Sequence, residues 1–182
     1  MSCCGKGPYG DGASDSISGA EFGSIAEGEP LIYRYKLWRK MSTYSDERTL
    51  LFVMLNPSVA GETHNDPTIR RCISFTLREG FGRLAVVNLF AYRATNPKRL
   101  AWADDPVGPK NHEYIGAAAA EAARVVCAWG AIPKRYYDRR DAVVRLLRYH
   151  HERLWCLGTT KAGEPRHPLM LRGDEPMVEY RT

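Results

Sequence analysis

Three polar side chains stand at the ends of apolar runs in this chain, and their types fit one kind of chemistry. Asn56 follows Leu50–Leu55, Asn88 lies near the carboxyl end of the run LAVVNL, and His167 lies in the polar loop after the run ending at Leu157. An amide side chain offers a donor and an acceptor together, which suits the edge of a nucleobase. A histidine beside an apolar pocket can stabilise a developing oxyanion or move a proton. If the apolar runs are parallel strands, all of these ends lie along one edge of a sheet, where open α/β folds place their ligands. A plainer reading stays open for each residue: an Asn at a strand end can simply cap it and bond loop backbone.

The segment LLFVMLNPSVAGETHNDPTIRR carries most of this information. Pro57 and Ser58 follow Asn56, and Ser58 can donate to a ligand oxygen. Asp66-Pro67-Thr68 then opens a helix, with an N-cap acceptor followed by proline at the first helical position. Thr68, Arg70 and Arg71 lie in its first turns. With Arg93, Lys161 and Arg166, the arginines can form a basic rim for phosphate groups, although any one of them can instead be solvated or pair with a nearby aspartate. Phe90 and Tyr92 can stack on a base or belong to the core. Trp129-Gly130 and Thr160 mark the ends of two further strands, and Pro168 follows His167.

The elements that must position these residues follow from periodicity. LIYRYKLWR alternates as a half-buried strand, with Tyr33, Tyr35 and Leu37 sharing one face. Leu50–Leu55, Leu84–Leu89, Arg124–Trp129 and Leu154–Leu157 read as buried strands. Helices are expected from Asp66 to Gly80, from about Asn111 to Ala123, and from Tyr137 to His150. Alternating strands and helices predict a three-layer α/β/α domain with a central, mainly parallel four-stranded sheet and an added N-terminal strand. Residues 1–28, rich in Gly, Ser and Asp, are expected to be a disordered tail, and 29–182 a single domain.

Several classes of function lack support. The GxGxxG at Gly5–Gly10 lies in the Gly-rich tail and follows no apolar strand-like run, and there is no GxxxxGK[ST] and no GxSxG around Ser58, so dinucleotide, NTP and serine-hydrolase chemistry have no supported fingerprint. The five cysteines and five histidines show no metal-ligand spacing, and no cofactor or metal is expected; Cys3-Cys4 can be lipidated or bind metal but reads as an ordinary tail pair. No apolar run reaches the ~20 residues of a membrane helix, and a cytoplasmic location is expected. The net charge of +5 is compatible with nucleic acid or a nucleotide as partner, though many basic domains bind neither.

The segments YRYKLWR, LNPSVAGETHNDPTIRRC, VVNLFAYRATNPKRL, DDPVGPKN, AWG and LGTTKAGEPRHPL resemble a bacterial and phage family known as the domain of unknown function 1643. A remoter resemblance is to the uracil-DNA glycosylase superfamily, whose mismatch-specific branch has Asn-Pro after the first core strand, as Asn56-Pro57 stand here. That resemblance implies a glycosylase-like fold and an N-glycosidase activity. Asn56 would position the attacking water, Asn88 would read the base edge, and His167 would stabilise the departing base. A loop bearing His-Pro, like His167-Pro168, inserts into DNA in that superfamily, and the base is flipped from the stack. The chain departs from the pattern: Leu169 stands where a serine is usual, no Asp occupies the water-activating position, and Asp66 to Arg71 have no counterpart. The alternative is a non-catalytic module that binds a nucleotide or nucleic acid.

Overall fold

The structure is a computed structural model that describes residues 18–23, 32–41, 46–61 and 63–181. It is an α/β fold built on one mixed sheet. The strands are β1 (Ser18–Gly23), β2 (Tyr33–Lys40), β3 (Thr49–Met54), β4 (Arg83–Asn88), β5 (Arg124–Cys127), β6 (Trp155–Cys156) and β7 (Val178–Glu179). Their order in the sheet is β1-β2-β4-β3-β5-β6-β7. The strands β4, β3, β5 and β6 pair in parallel, while β1, β2 and β7 pair antiparallel at the two sides. The sheet is therefore larger and more mixed than the expected four mainly parallel strands with one added N-terminal strand. Part of the difference is β1, which occupies a stretch expected to be a disordered tail; the rest of residues 1–28, with Cys3 and Cys4, lies outside the described residues.

Three helices cover the sheet: α1 (Pro67–Arg78), α2 (Asn111–Glu121) and α3 (Tyr137–His150). Alternation along β3 divides the core in two. Leu50, Phe52 and Met54 face α1, where Ile69, Cys72 and Phe75 meet them. Leu51 and Val53 face the other way, with Ile115 and Ala119 of α2 and Val143, Val144 and Leu147 of α3. A strand buried on both faces has no polar alternation, which explains the unbroken apolar run.

The connectivity creates a crevice. From β3 the chain crosses by α1 to β4 on one side, and then returns over β3 by α2 to β5 on the other. Helices leaving in opposite directions part at the carboxyl ends of these strands, the switch point where open sheets hold ligands. Asn56 and Asn88 stand at that point.

The β2 strand departs from simple alternation. Its pairing with β1 matches Glu21 to Lys36 but Phe22 to Arg34, leaving Tyr35 as the extra residue of a β-bulge. Beyond the bulge Leu37 packs in the α1-side core and Lys36 pairs with Glu121 of α2. Before it the faces are exchanged. Tyr35 stacks on Tyr114 of α2 with ring centroids 4.8 Å apart, and Tyr33 packs beside it. Tyr33, Tyr35 and Leu37 thus do not share one face, because a bulge shifts the side-chain phase by one residue. Arg34 is turned toward the α1 side, where its Nη1 donates to Ala60 O at 2.7 Å.

Candidate functional site

A cavity of about 520 Å³ opens at the switch point. Its walls come from four strand ends and one helix. The end of β3 supplies Asn56, with Ser58 beyond it, and the end of β4 supplies Asn88. Trp129 and Gly130 follow β5, His167 lies beyond β6, and Asp66 and Thr68 stand at the start of α1. Asn56, Asn88 and His167, more than 110 residues apart at the extremes of the sequence, line this single cavity.

The loops are held by backbone bonds that stitch one strand end to the next. Leu89 N donates to Met54 O at 2.8 Å, Ala94 N to Pro57 O at 2.9 Å, and Gly130 N to Pro165 O at 2.9 Å. Two arginines of β2 tie down the segment between Pro57 and Asp66. Arg34 bonds Ala60 O, and Arg39 donates to Asn65 Oδ1 at 2.8 Å and to Gly61 O at 2.7 Å.

Each key side chain has a defined orientation. Asn56 Nδ2 donates to Pro57 O at 2.9 Å and to Ala94 O at 2.7 Å. Both amide hydrogens are spent, so the carbonyl Oδ1 is the group Asn56 offers the cavity. Asn88 is 1% exposed, and its Nδ2 is buried without a hydrogen-bond partner among the described residues. Its backbone is fixed from behind, where Asn111 Nδ2 donates to Asn88 O at 3.1 Å and to Leu89 O at 3.0 Å. A buried donor left without an acceptor costs about 1–3 kcal/mol, and this one belongs to a residue that lines the cavity.

His167 caps the short 3-10 helix Pro168–Met170, its Nδ1 accepting from Leu169 N at 3.3 Å. That bond places the proton of the neutral ring on Nε2. Burial pushes the imidazole below its ordinary range, while Asp66 pulls the other way, so the neutral donor form is favoured near pH 7. Asp66 caps α1 through Oδ1, which accepts from Ile69 N at 2.8 Å. It is the carboxylate of the cavity. The sequence showed no Asp at the water-activating position; the fold brings Asp66, ten residues beyond Asn56, to the same cavity.

Arg34 is a charged cavity residue that the sequence did not suggest. It is 3% exposed, and burial pushes its guanidinium down to about 10, with Asp66 opposing and Arg93 and Arg39 adding to the fall. Its Nε is buried and has no acceptor among the described residues. In the sequence it reads as one polar step of an alternating strand; only the bulge at Tyr35 turns it inward.

Several expected site residues do not line the cavity. Pro57 is buried beneath it and offers its carbonyl to Asn56 and Ala94. Arg70 is exposed and bonds Asn65 O, and Arg71 lies over the Phe75 ring and bonds Leu171 O. Both are spent on the helix and its neighbours, because residues one turn into α1 point away from its tip. Phe90 is buried on the other side of the sheet, edge-on to Tyr136 with centroids 4.7 Å apart, since it falls past the strand end on the α3 side. Arg93 stands outside the lining, within electrostatic reach of Arg34. Thr160 is used by its own turn, Oγ1 accepting from Glu164 N at 3.2 Å. Pro168 is buried as the first residue of its 3-10 helix. Of the remaining basic rim, Arg166 pairs with Glu175 at 3.1 Å and Lys161 is exposed.

The His167 loop rests on Glu164, a residue without sequence signal. Glu164 is 2% exposed, accepts from Trp129 Nε1 at 2.7 Å, and pairs with Arg140 of α3. Gly130, at φ +74°, allows the close approach: a Cβ there would lie 3.3 Å from His167 Cβ. Among the described residues no three His, Cys, Asp or Glu side chains gather as metal ligands, and no helix is long and apolar enough to cross a membrane.

No curated protein and no solved structure matches the chain. The profile of one protein family, described as Protein of unknown function (DUF1643), matches residues 34–169, three quarters of the length, and the chain belongs to that family.

Proposed function

We propose that this DUF1643 protein is an N-glycosidase-type hydrolase, which takes a base-bearing nucleotide, free or within nucleic acid, into the cavity at the β3–β4 switch point. The observation that carries this reading is the convergence of Asn56, Asn88 and His167, with Asp66, on one cavity. The resemblance of Asn56-Pro57 and His167-Pro168 to motifs of the uracil-DNA glycosylases adds to it.

Each group then has a task. Asn88 Nδ2 donates to an oxygen on the base edge. Asn56 Oδ1 accepts a hydrogen from a water and aims it at the anomeric carbon. As the C1′–N bond breaks, its electron pair passes to the base, and His167 Nε2–H stabilises the negative charge that forms there. The water oxygen bonds C1′, and its proton passes to Asp66 and finally to the base nitrogen. A base held in a duplex must leave its stack to enter.

The test is incubation of the full chain with uracil-, mismatch- and modified-base DNA, single-stranded RNA, free nucleosides and nucleoside monophosphates. Released base or abasic product is the expected result from at least one class. Intact substrates throughout would sink the hydrolase.

One observation favours a second reading, a module that binds without cleaving. Asp66 Oδ1 is already engaged as the α1 cap, accepting from Ile69 N, which leaves the carboxylate less free to serve a reaction. Ligand-dependent thermal stabilisation without base release would decide for that reading.

A further inference from the structure

The cavity contains a second buried donor that the hydrolase reading leaves unused. Arg34 Nε and Asn88 Nδ2 belong to two of the most buried polar residues of the protein, both line the cavity, and neither atom has an acceptor among the described residues. They come from neighbouring strands: β2 pairs antiparallel with β4, and Arg34 N donates to Ala91 O, just beyond Asn88. The bond of Arg34 Nη1 to Ala60 O anchors the loop but leaves its Nε unused. Arg34 is brought there by the bulge at Tyr35, a device that re-aims side chains at functional sites.

We infer that Arg34 Nε and Asn88 Nδ2 form a buried donor pair that binds oxygen acceptors of the ligand, so that the site takes an oxo- or oxyanion-bearing ligand and rejects one that presents amino groups to the pair. Two dehydrated donors cannot both be met by an N–H group, and a ligand amino group would add a third unpartnered donor. The acceptor oxygens can come from the exocyclic oxygens of a base or from a phosphate. Arg34 is cationic at neutral pH and suits either source. Asp66 and His167 share the cavity; Asp66 opposes a dianion and welcomes a ligand N–H, so a neutral oxo edge with an adjacent imino group gains most. The inference concerns the same cavity as the proposed hydrolase and takes its base-bearing probes from that reading, but needs no bond cleavage.

The experiment is calorimetric titration of the full-length chain with matched probes. Inosine against adenosine and uridine against cytidine differ at one edge, oxo against amino. Inorganic phosphate and the four 5′-monophosphates form the second arm. An oxo preference of tenfold or more assigns the donor pair to a base edge, and a tenfold gain from the 5′-phosphate assigns it to phosphate. Either preference should disappear in Arg34→Met and in Asn88→Asp. Because Arg34 also anchors Ala60, Arg34→Lys is measured alongside; it keeps the charge and loses the Nε donor, and the preference should fall while the melting temperature holds. Equal binding of oxo and amino probes with no phosphate effect, no binding by any probe, or a preference that survives all three substitutions overturns the inference. Absence of base release leaves it standing and removes only the hydrolase.

Discussion

Glu164 accepts a hydrogen bond from the indole nitrogen of Trp129 at 2.7 Å, and this contact joins the loop that carries His167 to the end of β5. The same carboxylate pairs with Arg140 on α3. Strand, loop and helix thus meet on one buried negative charge. Replacing Glu164 by Ala leaves a buried indole N–H and a guanidinium without their partner, and the loss of stability should be about 3 kcal/mol. Glu164→Gln keeps an acceptor for Trp129 and should lose less than half as much. Urea denaturation reads both values; a Glu164→Ala loss below about 1 kcal/mol would show that the loop does not depend on this contact.

Gly130 should tolerate no side chain. Its φ of +74° lies in the left-handed region, which costs an L-residue roughly 1–2 kcal/mol. A Cβ would also press on His167 Cβ at 3.3 Å. Gly130→Ala should lower stability by about that amount and weaken ligand binding further than the stability loss explains. A variant that is destabilised but binds normally would uncouple Gly130 from the imidazole.

Asp66 has two separable duties. Asp66→Ala removes the α1 cap and should cost about 1 kcal/mol, while Asp66→Asn keeps a capping oxygen and should cost much less. Turnover, if the hydrolase reading holds, should be lost in both, because neither accepts a proton. Asp66→Asn with full turnover would remove Asp66 from the reaction.

His167 should make the protein sensitive to mild acid. Its imidazole is depressed in the folded state below the ordinary value of 6.5, so the unfolded chain binds the proton more readily. The stabilisation is complete above about pH 6.5 and is lost as pH falls through the lower folded value. Melting temperatures between pH 8 and pH 5 should fall more steeply for the natural chain than for His167→Gln. Identical slopes would mean that the ring is not held neutral by burial.

The framework of the fold was legible because its signals are local. An unbroken apolar run marks β3, and Asp66-Pro67 marks the start of α1, where the aspartate does cap the helix. Asn56, Asn88 and His167 could be placed on one sheet edge because every parallel strand delivers its carboxyl end to the same side. The arginines of α1 stand apart from the cavity for a related reason. Arg70 and Arg71 look like site residues by proximity to Asp66, but helical geometry turns them outward onto Asn65 and Leu171. Arg34 looks like a surface residue by alternation, but a bulge set by pairing with β1 turns it inward. Glu164 had no signal, since its partners are 24 and 35 residues away in sequence. Contacts of that kind are decided by packing between elements and leave no periodic trace.

The bulge at Tyr35 makes the site sensitive to residue count as well as to residue identity. Removing one residue from β2 there would restore uninterrupted pairing with β1 and leave a more regular ladder. It would also rotate Arg34 out of the cavity and carry the tyrosines to the opposite face. Insertions and deletions in this strand are therefore frameshifts of the site, able to leave the pairing with β1 more regular while ruining whatever the cavity holds.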